Sequence, residues 1–512
     1  MANIHRSKTY GAEIEKPIAS TVTSAPHKVT QQFFKSLAKE ARKRGTFQSF
    51  HKSDIKSDVV IGATSYDLGE QGLDNGFNLL ETSLPYQRSL INLQNKMLLD
   101  LKTVQKALEQ EYASVINLSI NPLAKRTMTD YKTYVAPKGV YPYFWYRGWD
   151  HTAGIDARAQ NSPTIGVKID KAADSVSVII GAGAAFIGLF ANSPYEEGKR
   201  SSYKESRSTM WDRMMKNSKV KGDITTAQFP QDRFKTMAQY FNWMFGGNTS
   251  IHFILSKIVN ESDDYKGVGS RILVVKGNPS VLEYLSKPEW KASFLKDAIE
   301  NKKSTVTVKP TISHMETMQF AQFSGARIRY KLTNHNDFPI QEFVKACKNP
   351  DSRKVENIFS EYSKYVYIEG RDAGANFPDQ ELWALGKDIA SSVVISPSAL
   401  QAGLIQNLNE ATKYIDSFKW LDLKMLREAA IKDGLQGKIP KISVYEFTEK
   451  ILEIASDGLT QKEQKFLAYP RWVMKTKKNG ADRAIEFVEK QKGNLEKSLK
   501  ELIKLRKVVV DI

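Results

Sequence analysis

The residues that could do chemistry begin with two glutamates near the start of the chain. GAEIEKPI (11–18) is short and ends at a proline, as an early strand would, so Glu13 and Glu15 project from one face of an extended backbone. Either this is the polar face of an ordinary strand, or a cation lies between carboxylates that otherwise repel. In DNGFNLLETSLP (74–85), Glu81 interrupts an apolar run closed by Pro85. A charge among leucines is costly unless it is paired or coordinates a metal; the plainer alternative is a solvated residue at a strand end. In KYVYIEGRDAGANFP (364–378), Tyr367, Glu369 and Arg371 alternate along a strand that leads into a glycine-rich loop. Alone, that pattern is a same-face or cross-strand ion pair.

A fourth stretch, ANSPYEEGKRSSYKESRSTMW (191–211), follows SVIIGAGAAFIGLF, a run of small and apolar residues ending at Phe190. A buried helix that releases a turn-forming Asn-Ser-Pro, a glycine and a cluster of cations is suited to holding an anion beside a core. ANSPYEEGK followed by SRSTMW closely resembles the central motif of the glutamate-cysteine ligases and their carboxylate-amine ligase relatives.

That resemblance implies a substrate pocket lined by Asn192, Ser193, Arg207 and Trp211, with Arg207 and Trp211 holding glutamate. It extends to Gly-x-Glu-x-Glu at Glu13 and Glu15, and to Leu-Leu-Glu at Glu81 with Asp74 seven residues earlier, all implied magnesium ligands. It reaches Tyr-Ile-Glu-x-Arg, where Glu369 is an implied magnesium ligand and Arg371 an implied contact to phosphate, so that Glu15 and Arg371 also serve the nucleotide. The chain departs from the family in PTIGVKID (163–170). Gly166 and Lys168 stand where relatives place a glutamine or histidine and then an asparagine, which puts a lysine cation among the implied substrate contacts.

The implied reaction joins the γ-carboxylate of glutamate to the amino group of cysteine with ATP and Mg2+, through γ-glutamyl phosphate, as the first step of glutathione synthesis. Arg371 would stabilise the transferring phosphoryl group. Two rivals stay open: a different amine acceptor, motivated by Gly166 and Lys168, and a catalytically inactive nucleic-acid-binding or scaffold protein, motivated by charge.

The elements that must position these groups follow from periodicity. Thr30 to Arg44 reads as a helix with Phe34, Leu37 and Ala41 on one face and Gly45 as its stop. From Pro85 onward, Leu90, Leu93, Met97, Leu101, Val104 and Leu108 mark another. PTIGVKID reads as a strand, with Asp170 capping a helix that runs to Phe190. The aromatic segment Pro137 to Asp150 seals a core edge in preference to stacking a base. ARIRYKL (326–332) reads as a basic strand with Arg327, Arg329 and Lys331 on one face; it lacks the glutamate that should follow in the family's arginine-rich strand, and the later segment is preferred. Beyond Pro397 the chain is helical and charged, and its last piece, Arg483 to Lys507, reads as an outer layer or an association helix. The division is therefore a catalytic domain over 1–400 and a helical region over 401–512 packed on it, with a soft boundary.

Composition bounds the rest. With 512 residues, 41 % of them hydrophobic, the chain can bury one large core or two ordinary ones. The net charge of +18 favours anionic partners, but the basic residues are dispersed, which argues against a dedicated nucleic-acid surface. The single cysteine, Cys347, reads as a packing residue, and no histidine pair has zinc-ligand spacing. Phe186 stands where a dinucleotide fingerprint would need its third glycine. The start lacks an apolar signal region, and the longest apolar run, Val176 to Phe190, is shorter than the ~20 residues of a membrane span, so a cytoplasmic monomer or homodimer is expected. Periodicity supports mixed α and β; the resemblance implies an α+β fold of glutamine-synthetase type, an antiparallel sheet with inward carboxylates and helices packed around it.

Overall fold

β1 (Tyr10–Ser20) runs through the middle of a nine-stranded sheet in a computed structural model that describes residues 8–154, 158–247, 249, 254–255, 272–296, 299–333, 337–491 and 493–510. The other strands are β2 (Phe47–Lys52), β3 (Val60–Ser65), β4 (Gly69–Leu73), β5 (Leu79–Gln87), β6 (Ala113–Val115), β7 (Asn161–Gly166), β8 (Ala326–Leu332) and β9 (Ser363–Gly370). Their order is β8-β9-β7-β1-β5-β4-β3-β2, with β6 on the far end of β1, and every pair is antiparallel. Pro85 does not close its strand, which continues to Gln87.

The two-residue alternation of these strands separates an apolar face from a polar one. Ala12, Ile14 and Ile18 of β1, Leu80 and Leu84 of β5, Ile165 of β7, Ile328 of β8 and Ile368 of β9 are buried on one side. Helices cover that side. α1 (Gln31–Lys43) lies on β3 and α2 (Leu90–Glu109) on β5 and β1. α1 begins where the Thr30 side chain accepts from Gln32 N–H and ends before Gly45, whose φ of +70° a side chain would strain.

The single helix expected up to Phe190 is two, α3 (Ala172–Gly181) and α4 (Gly183–Phe190), bent by 47° at Ala182. Gly181 and Gly183 flank the bend, and their absent side chains admit Ile415 and Asp372; Asp170 lies in the preceding turn and does not cap α3. α5 (Ser396–Gln406) crosses β7, and its Gln401 amide donates to the Ile368 carbonyl at 2.9 Å. The domain boundary placed near 400 therefore falls inside a helix. α6 (Trp420–Asp433) and α7 (Val444–Gly458) pack on α4, and one apolar cluster extends from Tyr10 to Val508. A smaller four-stranded antiparallel sheet (254–308) stands apart from the main one. No single helix among the described residues is long and apolar enough to cross a membrane.

Candidate active site

The polar face of the sheet gathers charges in two groups. At its centre β1 and β5 place Glu15 directly opposite Glu81, and the turn after β4 folds Asp74 against them, its N–H donating to the Leu79 carbonyl at 3.1 Å. Oxygens of Glu15, Asp74 and Glu81 lie within 4.8 Å of one another. Gln160 N–H donates to Glu15 Oε2 at 2.9 Å, and Asn75 Nδ2 to Asp74 Oδ2 at 2.5 Å. Burial pushes the Glu15 carboxyl well above the usual range, and the charges of Asp74 and Glu81 push it further, against the pull of Arg371 and Arg207. Three hard oxygen donors that repel one another in a buried setting fit a divalent cation such as Mg2+, which removes the repulsion.

The second group centres on Glu369. β8 pairs Arg327 with Glu369 and Arg329 with Tyr367, so both guanidiniums share its face. Glu369 accepts from Arg327 Nε (3.0 Å) and Nη2 (2.7 Å), from Arg329 Nη1 (2.6 Å) and from Arg371 Nη1 (2.9 Å). Burial alone would raise its pKa, but the three guanidiniums outweigh burial and hold it far below the usual carboxylate range. Glu13 lies between the groups, opposite Ser83 and Ser162. Burial and the charge of Glu369 raise its pKa, and Arg329, Arg327 and Arg371 lower it. Arg371 Nε is buried and has no partner in the protein, so one donor of this cationic end is left over.

The loop after α4 connects the groups. Arg207 donates from Nε to Glu205 (3.1 Å), from Nη1 to Gln160 Oε1 (2.9 Å) and from Nη2 to the Arg371 carbonyl (3.0 Å). Gln160 thus joins Arg207 to Glu15. Trp211 stacks on Phe323, ring centroids 3.8 Å apart and planes 19° apart.

The structure thus draws Glu15, Asp74 and Glu81 together, with Glu13 beside them on the same face. It assigns other positions to four expected site residues. Glu369 has both oxygens engaged by guanidiniums and is absent from the acidic cluster, because β8 supplies the cations that neutralise it. Asn192 is fully buried and donates to the Asn117 carbonyl (3.1 Å) and the Ala375 carbonyl (2.9 Å). Ser193 accepts from Arg207 N–H at 3.2 Å. Both side chains hold the loop in place. Lys168 is exposed and lines a cleft with Tyr10 and Ile165 on the helix side, because β7 ends at Gly166 and the chain turns away. Gly166 stays on the polar face opposite Tyr367, with the Thr9 hydroxyl where its side chain would start.

Arg327, Arg329, Gln160 and Glu205 are site residues that the sequence analysis missed. The two arginines carried a signal, a basic strand with one cationic face. Gln160 carried none, because it meets Glu15 and Arg207 only across the fold, whereas Glu205 lies two residues before Arg207 in the same quoted stretch.

An antiparallel sheet with helices packed on one face is a fold that this chain shares with a solved glutamate-cysteine ligase. Superposed on the glutamate-cysteine ligase of Francisella tularensis solved in complex with AMP, the chain gives a TM-score of 0.51 at 10 % identity, covering 97 % of this chain and 88 % of that one. In sequence, residues 43–245 match the model of glutamate-cysteine ligase family 2. A bifunctional glutathione synthetase from Pasteurella multocida aligns with a TM-score of 0.45 at 11 % identity, over 98 % of this chain and about half, 51 %, of that longer one. No curated protein matches the chain in sequence.

Proposed function

We propose that the chain is an ATP- and Mg2+-dependent ligase that joins the γ-carboxylate of glutamate to the amino group of cysteine. The observation that carries this reading is the pairing, on one sheet face, of a three-carboxylate cluster with a guanidinium cluster left with an unpartnered donor. Direct condensation of a carboxylate with an amine is unfavourable in water. A carboxylate oxygen attacking the γ-phosphorus of ATP forms an acyl phosphate as the bond to ADP breaks. The amine nitrogen then attacks the acyl carbon, phosphate leaves, and the nitrogen loses a proton.

Glu15, Asp74 and Glu81 would hold Mg2+, with Glu13 beside them. Bound there, Mg2+ supplies charge neutralisation between the carboxylate and the triphosphate, and it orients the phosphate oxygens. Arg371 would donate to a phosphoryl oxygen, with Arg327 and Arg329 keeping Arg371 and Glu369 in a fixed array. Arg207 is held by Gln160 and Glu205 beside the acid group, where the loop would present it with Trp211 to glutamate.

The test is ADP and phosphate release from ATP with glutamate and a panel of amines. Release that needs Mg2+, glutamate and cysteine together supports the reading. A requirement for another amine would keep the ligase and replace its acceptor, in line with Gly166 on the polar face. Salt-sensitive binding of random-sequence DNA or RNA without ATP turnover would replace the ligase with a binding protein.

A further inference from the structure

Directly behind the acidic cluster, on the helix side of the sheet, is a polar group that the ligase reading does not use. Lys16 and Asp100 are both fully buried, and Lys16 Nζ donates to Asp100 Oδ2 (2.8 Å), Thr82 Oγ1 (2.7 Å) and the Ile14 carbonyl (3.1 Å). The other Asp100 oxygen accepts from Thr82 Oγ1 (2.9 Å) and Gln71 Nε2 (2.7 Å). Asp100 comes from α2, whose neighbouring inward residues Met97, Leu101 and Val104 are apolar core.

The position of each member is informative. Lys16 follows Glu15 on β1, and Thr82 follows Glu81 on β5. Gln71 pairs with Thr82 from β4, three residues before Asp74. The alternation of the strands turns each of these side chains away from the acidic face while fixing the backbone beside it. A slip of one residue between these strands would turn Glu15 or Glu81 into the helices. A fully buried ion pair adds little stability over apolar residues of similar size, so stability does not account for it.

We propose that Lys16 and Asp100 are positioning residues for a divalent cation: through Thr82 and Gln71 they pin β1, β5 and β4 in the one register that keeps Glu15, Glu81 and Asp74 together despite their repulsion. The inference rests on the reading of those carboxylates as the cation site. Groups that bond directly to metal ligands alter metal affinity by about 10–100-fold when removed, and a role exerted through strand register sets its expectation at the lower end.

The full chain is titrated with Mn2+ alone, followed by the electron paramagnetic resonance of the free ion, and in parallel Mg2+ half-saturation and glutamate KM are read from phosphate release. Three variants are compared. Lys16→Met with Asp100→Leu removes both charges together, Thr82→Val removes the hydroxyl and keeps the shape, and Glu15→Gln removes one carboxylate. The double variant is expected to bind Mn2+ at least about tenfold more weakly, and to shift Mg2+ half-saturation equally with glutamate KM within about twofold; Thr82→Val should lie between it and wild type. A merely structural role would lower the folded fraction and leave the affinity of the folded protein unchanged. A folded double variant with wild-type Mn2+ affinity, alongside a Glu15→Gln that loses it, overturns the positioning role and leaves the cation site standing. Unchanged affinity in Glu15→Gln overturns the cation site itself. If the double variant does not fold, unchanged affinity in Thr82→Val overturns the positioning role.

Discussion

The two charged groups on the polar face solve opposite problems with the same side chains. At the centre, Glu15 and Glu81 face each other across a β ladder with Asp74 folded against them, and burial, followed by repulsion from Asp74 and Glu81, raises the Glu15 pKa. Toward the β8 edge a single carboxylate, Glu369, is surrounded by Arg327, Arg329 and Arg371, and its pKa falls. Acids predominate in the first group and guanidiniums in the second. Burial acts the same way on both glutamates, so the difference lies in the neighbouring strand: β5 contributes an acid and β8 contributes two bases.

Breaking the cationic end should give the largest effect. Glu369→Gln leaves three buried guanidiniums without their shared anion and is expected to lower stability by about 3–5 kcal/mol, read from urea unfolding. Stability unchanged from wild type would mean that the guanidiniums pair elsewhere. Arg371→Ala keeps Glu369 paired with two arginines, so its effect should fall on the chemistry. Phosphate release dependent on glutamate should slow by ~10²–10³-fold, about 2.7–4 kcal/mol, with the fold intact by circular dichroism. Wild-type rates would remove Arg371 from the mechanism.

Acidity separates the groups more finely. The Glu369 pKa is depressed, so its contribution to stability is present above the unfolded value of about 4.3 and disappears as pH falls through the folded value. The Glu15 pKa is raised, so its contribution is present below the unfolded value and is lost as pH rises through the folded one. Without divalent cations, melting temperature should therefore decline from mildly acidic toward neutral pH, and the decline should flatten in Glu15→Gln. Added Mg2+ should raise the midpoint more at pH 8 than at pH 5. Equal midpoint shifts at both pH values would count against a carboxylate cation site. The smallest effect is expected at the rim. Trp211→Ala removes an aromatic stack of about 0.5–1.5 kcal/mol and should raise glutamate KM with kcat little changed. Loss of kcat alone would separate Trp211 from substrate binding.

The local pattern made some of this site legible. Glu13 and Glu15 alternate along an extended segment, and two-residue periodicity is enough to put them on one face. The α1 boundaries are readable for a similar reason, since Thr30 and Gly45 act within a turn of the helix they limit. The one-faced basic strand ARIRYKL was readable as a strand, but its place beside Glu369 was not, because pairing between residues some forty positions apart leaves no trace in either segment. The break between α3 and α4 was hidden in a similar way: the glycines that flank it acquire meaning only from Ile415 and Asp372, which press in from elsewhere.

By itself, then, the sequence determined which residues could carry charge, which of them share a strand face, and that a polar loop follows an apolar helical stretch. Periodicity, capping and turn chemistry act over a few residues, and those features need nothing more. Tertiary structure alone decided that Glu369 meets three arginines while Glu15 meets two acids, that Asn192 and Ser193 support the loop, and that Lys168 turns away from it. Each of those outcomes is an electrostatic or packing relation across the antiparallel ladder or between the sheet and distant segments, and strand order and register, fixed by burial of the whole apolar face, set which charges become neighbours.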